Sequence, residues 1–136
     1  MPTNTGVRWL RISYWVGAVA DAVAAVVMLT QAMFAHRSPL TAYVPEVPYR
    51  YAMGLAGSLM LGWTLLLIWA DRRPLERRGV LLITNIVIVG LLATGISAVQ
   101  VGFVSPTSMA PLLVLQVLLL ILFSASYVRT GRYYGA

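Results

Sequence analysis

The sequence predicts an all-α fold, a four-helix bundle integral to a membrane. Three observations predict it: four long apolar stretches, a composition too apolar for a soluble domain of this size, and charges confined to the segments around those stretches. Of 136 residues, 60% are hydrophobic and 10% charged, and the mean hydropathy is +0.81. A chain of that balance takes the bilayer as its solvent.

The same composition excludes several classes of function. With no cysteine there is no disulfide, no thiol catalysis, no zinc-finger spacing and no cysteine-held iron–sulfur cluster. The net charge of +6 would suggest nucleic acid in a soluble protein. Here the charges sit in short loops and at the ends, where they read as topology signals, so no nucleic-acid partner is expected.

The first span is expected over about residues 12–35. Arg8 and Arg11 precede it as a cytoplasmic flank, and Trp9, Tyr14 and Trp15 fit an interfacial aromatic belt. Its apolar run outlasts the roughly 7–15 residues of a signal peptide, so it is expected to remain as a membrane helix. Within it lies Asp21, the chemically oddest residue of the chain. An acid near the middle of a span costs about 2.5–3.5 kcal/mol on insertion scales, whereas each Val or Leu returns only about 0.3–0.6. The first helix therefore inserts marginally and depends on its neighbours.

Residues 36–50 read as a loop because Pro39, Pro45 and Pro48 interrupt any helix. Glu46 and Arg50 have the spacing of a helical ion pair, though solvated surface is the simpler reading. The second span, about 51–70, carries Gly54, Ser58 and Gly62 at four-residue intervals. Small residues at that spacing let another helix approach closely. A charged turn follows, with Pro74 at the reversal and Arg72, Arg73, Arg77 and Arg78 as candidate contacts for anionic lipid headgroups. With Arg8, Arg11, Arg129 and Arg132 these make eight arginines on one side, against Arg37 and Arg50 on the other. The positive-inside bias then places both termini in the cytoplasm, with up-down connections in a cytoplasmic (cell) membrane.

The third span, about 79–100, contains Thr84, Asn85, Gly90, Thr94, Gly95 and Ser97. An uncharged link over about 101–111 leads to the fourth, about 112–128, which is Leu- and Ile-rich apart from Gln116 and Ser124. Much of that helix is expected to face lipid. The chain forms one transmembrane domain, with no internal repeat.

Asp21 shares a helical face with Gly17, Ala18, Ala24, Ala25 and Met28, small enough for close packing, so the acid is expected to point inward. Counted from the cytoplasmic ends, it lies near the depth of Trp63 and a little deeper than Asn85. Trp63, Thr84 and Asn85 are thus its candidate polar neighbours. No Arg, Lys or His lies at that depth, so desolvation favours the neutral acid. Ionisable residues inside membranes commonly mark ion or proton pathways, which makes Asp21 a candidate coupling residue; the simpler alternative is a neutral interhelical hydrogen bond.

Nothing else assembles into chemistry. His36 with Met33 or Met53 would make a His/Met pair of the haem-ligating type, but a lone interfacial His is ordinarily solvated, and no cofactor or metal is expected. There is no HExxH, GxSxG or phosphate-binding loop, and Asp21, Glu46, Asp71 and Glu76 fall on different elements or sides. The chain is not expected to be an enzyme.

The four-span layout with Asp21 inside the first helix resembles the small multidrug resistance transporters. The likeness is one of architecture plus that residue, where the family characteristically has Glu; the longer outer loop and the one-sided arginines depart from it. From the residues themselves the first expectation is a non-enzymatic membrane protein packing into a homo-oligomer or larger membrane complex. A proton- or cation-coupled transporter of small lipophilic or cationic substrates is the second, and a lipid or apolar-ligand carrier with the loop tyrosines as a lid the third.

Overall fold

The computed structural model describes residues 4–34 and 46–131, with the side chains of 4, 5 and 131 left aside. The described chain is all-helical. Its elements are α1 (Asn4–Phe34), α2 (Val47–Asp71), α3 (Gly79–Gln100) and α4 (Pro106–Gly131). All four are long and apolar enough to cross a membrane.

α1 begins at Asn4, ahead of the span expected from about 12, and α2 and α4 begin early where proline sits at a helix start. α2 begins at Val47, with Pro48 in its first turn, because the first backbone N–H groups of a helix have no intrahelical partner to lose. Tyr49 and Arg50 are therefore helical. Among the described residues Arg50 forms no ion pair with Glu46; its Nε instead donates to the Ala32 carbonyl at 2.9 Å and its Nη2 to Met33 O at 3.2 Å. A cation on the last carbonyls of α1 satisfies orphan acceptors and opposes the helix dipole. Arg50→Ala is expected to cost about 1–2 kcal/mol and to speed amide exchange selectively in the last turn of α1, which hydrogen-exchange mass spectrometry would read.

α4 likewise starts early. Ser105 Oγ accepts from the Ser108 N–H at 3.2 Å and Pro106 takes the first helical position, an N-cap followed by proline that nucleates a helix well before Leu112. Pro111 lies inside α4.

α1 packs most extensively against α2, α3 packs against α4, and α1 also meets α4. The α1–α2 seam is built on small residues: a Cβ on Gly57 would stand 2.8 Å from Leu29 Cγ and 3.2 Å from the Leu29 backbone nitrogen, and one on Gly54 would stand 3.7 Å from Ala32 Cβ. Between α1 and α4, Gly17 receives the Phe123 ring, whose Cζ would be 2.8 Å from an added Cβ, and Gly6 faces the Thr130 methyl. Ser13 and Ser126 hydroxyls lie 2.7 Å apart. Ser13 also bonds to Trp9 O, which uses its one proton, so Ser126 is the donor across the helices. The buried centre gathers Leu10, Tyr14, Ala18, Leu67, Ala70, Leu81, Ile88, Leu119 and Phe123.

The turn between α2 and α3 is fastened to α1. Tyr14 is buried, and its hydroxyl donates to Arg77 O at 3.0 Å and more weakly to Pro74 O at 3.4 Å. Asp71 receives the Trp15 indole N–H at 3.2 Å and lies 3.8 Å from Arg11 Nε. The guanidinium is mostly exposed, so that ion pair adds at most about 1 kcal/mol; the buried tyrosine contributes more to fixing the turn.

Candidate functional site

Asp21 sits just past the middle of α1, one turn beyond Gly17 on the stripe that includes Gly17, Ala18 and Ala25, all buried. The acid itself is partly buried. Among the described residues no hydrogen bond or ion pair reaches its carboxylate. Nor does any other ionisable group share its layer: residues 52–70, 79–100 and 106–126 contain no Asp, Glu, Lys, Arg or His.

The three expected neighbours bond elsewhere. Trp63 and Thr84 meet each other, the indole Nε1 donating to Thr84 Oγ1 at 3.1 Å, while Thr84 donates onward to Val80 O at 2.8 Å. Asn85 Nδ2 donates to Ser124 Oγ at 3.1 Å across the α3–α4 contact, and its Oδ1 is buried without a partner among the described residues. The structure thus brings Trp63 together with Thr84, and Asn85 together with Ser124, and leaves Asp21 outside both pairs.

Of the expected packing stripe on α2, Gly54 lies against α1, whereas Ser58 is exposed and returns its hydroxyl to Gly54 O at 2.8 Å. Gly62 faces open space. The tight contact is at Gly57, off the four-residue spacing that singled out its neighbours.

Several buried polar residues lie outside the expected site: Ser13, Gln31, Thr64, Gln116, Ser126 and Thr130. Gln116 is only 8% exposed, and its Oε1 has no hydrogen-bond partner among the described residues. It lies on α4 between Met109 and Leu113, which meet Gly95 of α3, and Phe123, Ser126 and Thr130, which meet Gly17, Ser13 and Gly6 of α1. The signal was present in sequence: a glutamine in a Leu-rich span is costly in lipid and turns inward.

The arginine-rich end carries a second arrangement. Arg77 stacks on the Trp69 ring, 3.3 Å from its centroid, and its Nη1 bonds to Trp69 O. Arg78 lies over Tyr127 at 5.7 Å and Arg129 over Trp9 at 5.3 Å. Arg73 pairs with Glu76 at 3.2 Å, both exposed, and Arg72 is exposed. Aromatic support orients three of these guanidinium groups without neutralising them.

His36 lies outside the described residues, so the His/Met pair has no described geometry. No group of three or more potential metal ligands occurs among the described residues. Comparisons with protein-family models, curated proteins and solved structures find no match to this chain.

Proposed function

We propose that the chain is a small multi-pass protein of the cytoplasmic membrane that exchanges protons or small cations through Asp21. The supporting observation is the carboxylate itself: it lies on the packed side of a membrane helix, and no hydrogen bond among the described residues occupies it. A structural acid would be expected to hold a neighbouring helix by such a bond, since an unsatisfied polar group in hydrocarbon is costly. An exchange site must instead keep its acceptor available to a passing proton or cation. In this proposal the bundle has up-down connections and both termini in the cytoplasm. Gly54 with Ala32, Gly57 with Leu29, and Gly17 with Leu67 run in opposite directions along α1 and α2, and the arginine count supplies the orientation. Arg72, Arg73, Arg77 and Arg78, some of them braced by aromatic rings, then face anionic headgroups. No chemical conversion is assigned, so the chain is read as a non-enzyme.

A second reading rests on a different observation. Ser58 and Gly62 are exposed on α2, and this outward stripe suits a homo-oligomer or a larger complex built on close helix contact. The two readings part at Asp21→Asn. In sealed proteoliposomes, exchange would be measured as proton release driven by an inward gradient of sodium or of a lipophilic cation. Asp21→Asn is expected to abolish that release while leaving the detergent-solubilised protein folded by circular dichroism. If wild type and variant release protons alike and the variant only weakens subunit cross-linking, the assembly reading stands and exchange falls.

A further inference from the structure

We infer that Arg77, laid on the Trp69 ring, is the phosphate seat for one anionic phospholipid of the adjoining leaflet, whose acyl chain lies along the outward stripe of α2. This rests on the headgroup contact in the proposed reading and deepens it, choosing one arginine of the four and a ligand with a tail. It stands apart from exchange through Asp21.

The seat begins with how firmly Arg77 is held. Its carbonyl accepts the hydroxyl of buried Tyr14 at 3.0 Å, and its backbone N–H donates to Arg73 O at 3.1 Å. The side chain folds back over the end of α2, with Cζ 3.3 Å from the centroid of the Trp69 ring and Nη1 bonded to Trp69 O. A guanidinium fixed on one face and at one nitrogen has lost much of its rotamer freedom before any ligand arrives, so binding costs less entropy. Arg72 and Arg73, on the same turn, are exposed.

The charge of Arg77 is still available. The two acids of this turn are engaged elsewhere, Asp71 with Trp15 and Arg11 and Glu76 with Arg73. Among the described residues Arg77 has no ion pair. One guanidinium N–H goes to Trp69 O, and the ring attracts the cation without neutralising it. The remaining donors suit phosphate oxygens, whose geometry the planar fork matches.

The apolar half of the ligand is read from α2. Trp69, Leu65, Gly62 and Ser58 follow one another at steps of four, three and four residues, which puts them on one side of the helix, and all four are exposed. A Cβ on Gly62 would meet nothing within 4 Å, so the stripe has a notch there. From Trp69 to Ser58 is about 16 Å at 1.5 Å per residue. One leaflet of hydrocarbon is about 15 Å deep. A phosphate seat with an acyl chain's length of open helix face running from it fits a phospholipid, whereas free phosphate would leave the stripe unused.

The test uses the full chain in detergent, titrated with phosphatidylglycerol or with phosphatidylcholine of the same acyl chains and read by native mass spectrometry. Wild type is expected to retain one phosphatidylglycerol at about tenfold lower lipid concentration than phosphatidylcholine. Arg77→Gln is expected to raise that concentration about tenfold, as the loss of hydrogen bonding to a charged group implies. Trp69→Leu is expected to raise it about threefold, because the charge stays but its platform goes. Arg72→Gln combined with Arg73→Gln removes twice the charge from the same turn, yet is expected to shift it by less than about twofold. The Trp69 variant and this pair keep the test decisive if Arg77→Gln fails to fold. Equal losses from Arg77→Gln and from the pair would overturn the single seat while leaving general headgroup attraction in place. No preference for phosphatidylglycerol in wild type would remove that attraction as well. Displacement of the lipid by excess inorganic phosphate would assign the seat to a free anion, and lipid-free dimers would assign the stripe to a second copy; either result overturns the inference.

Discussion

Gly57→Leu is expected to be the most damaging single substitution, lowering stability by about 3 kcal/mol, at the upper end of what overpacking costs. Any side chain at this position meets Leu29 Cγ at 2.8 Å and the Leu29 backbone nitrogen at 3.2 Å. The side chain could turn aside, but the backbone cannot without moving α1 off α2, along the most extensive helix contact in the chain. Gly57→Ala is expected to lose less, and Leu29→Ala added to it should recover only part, because the backbone contact remains. Steric trapping in bicelles, or the fraction of monodisperse protein surviving heating in detergent, would give the order. Equal stability of wild type and Gly57→Leu would mean that α1 and α2 do not approach this closely.

The second large effect is expected at Phe123→Ala, at about 2 kcal/mol. Phe→Ala costs about 3–5 kcal/mol in soluble cores, but part of that is transfer from water, which is absent when unfolded helices stay in lipid. The packing loss remains. Phe123 is 1% exposed and its Cζ points at Gly17, with Leu67 Cδ1 beside it. Gly17→Ala alone should also destabilise, whereas Gly17→Ala combined with Phe123→Leu should recover stability, giving a coupling of about 1 kcal/mol in a double-mutant cycle. Simple additivity would argue against the ring sitting over Gly17.

Helix number and helix type were legible because hydropathy and length are strong signals in a membrane protein. α3 fell at 79–100 as expected, since Arg78 and the uncharged run after it bound the element clearly. The starts of α2 and α4 were less legible. Pro48 reads in sequence as a breaker, whereas it occupies a first turn where proline is tolerated, and the link expected over about 101–111 already holds a helix start at Ser105–Pro106.

Residue counts give a height for each site residue but no direction around its helix. Asp21, Trp63 and Asn85 could be ranked by depth from residue counts alone, yet depth does not say which way a side chain points. In water, apolar periodicity supplies that angle. In lipid, Leu59 facing outward and Leu67 facing inward are equally apolar, so the pattern carries little of it. Hence Trp63 meets Thr84, and Asn85 meets Ser124, without either pair including the acid. Gly57 escaped notice for a related reason: the four-residue spacing through Gly54 and Gly62 marks one stripe, and the tight approach occurs beside it.

The joints between α1 and α4 at Gly6, Ser13 and Gly17, together with the Tyr14 bond to the α2–α3 turn, all fall in the first half of α1. Farther along, Leu29 and Ala32 face α2. Mechanically the molecule is then two helix pairs clamped at one end, and a small change in the angle between them moves the far ends most while leaving the clamp almost still. Asp21 stands one turn past Gly17, the last of these joints with α4.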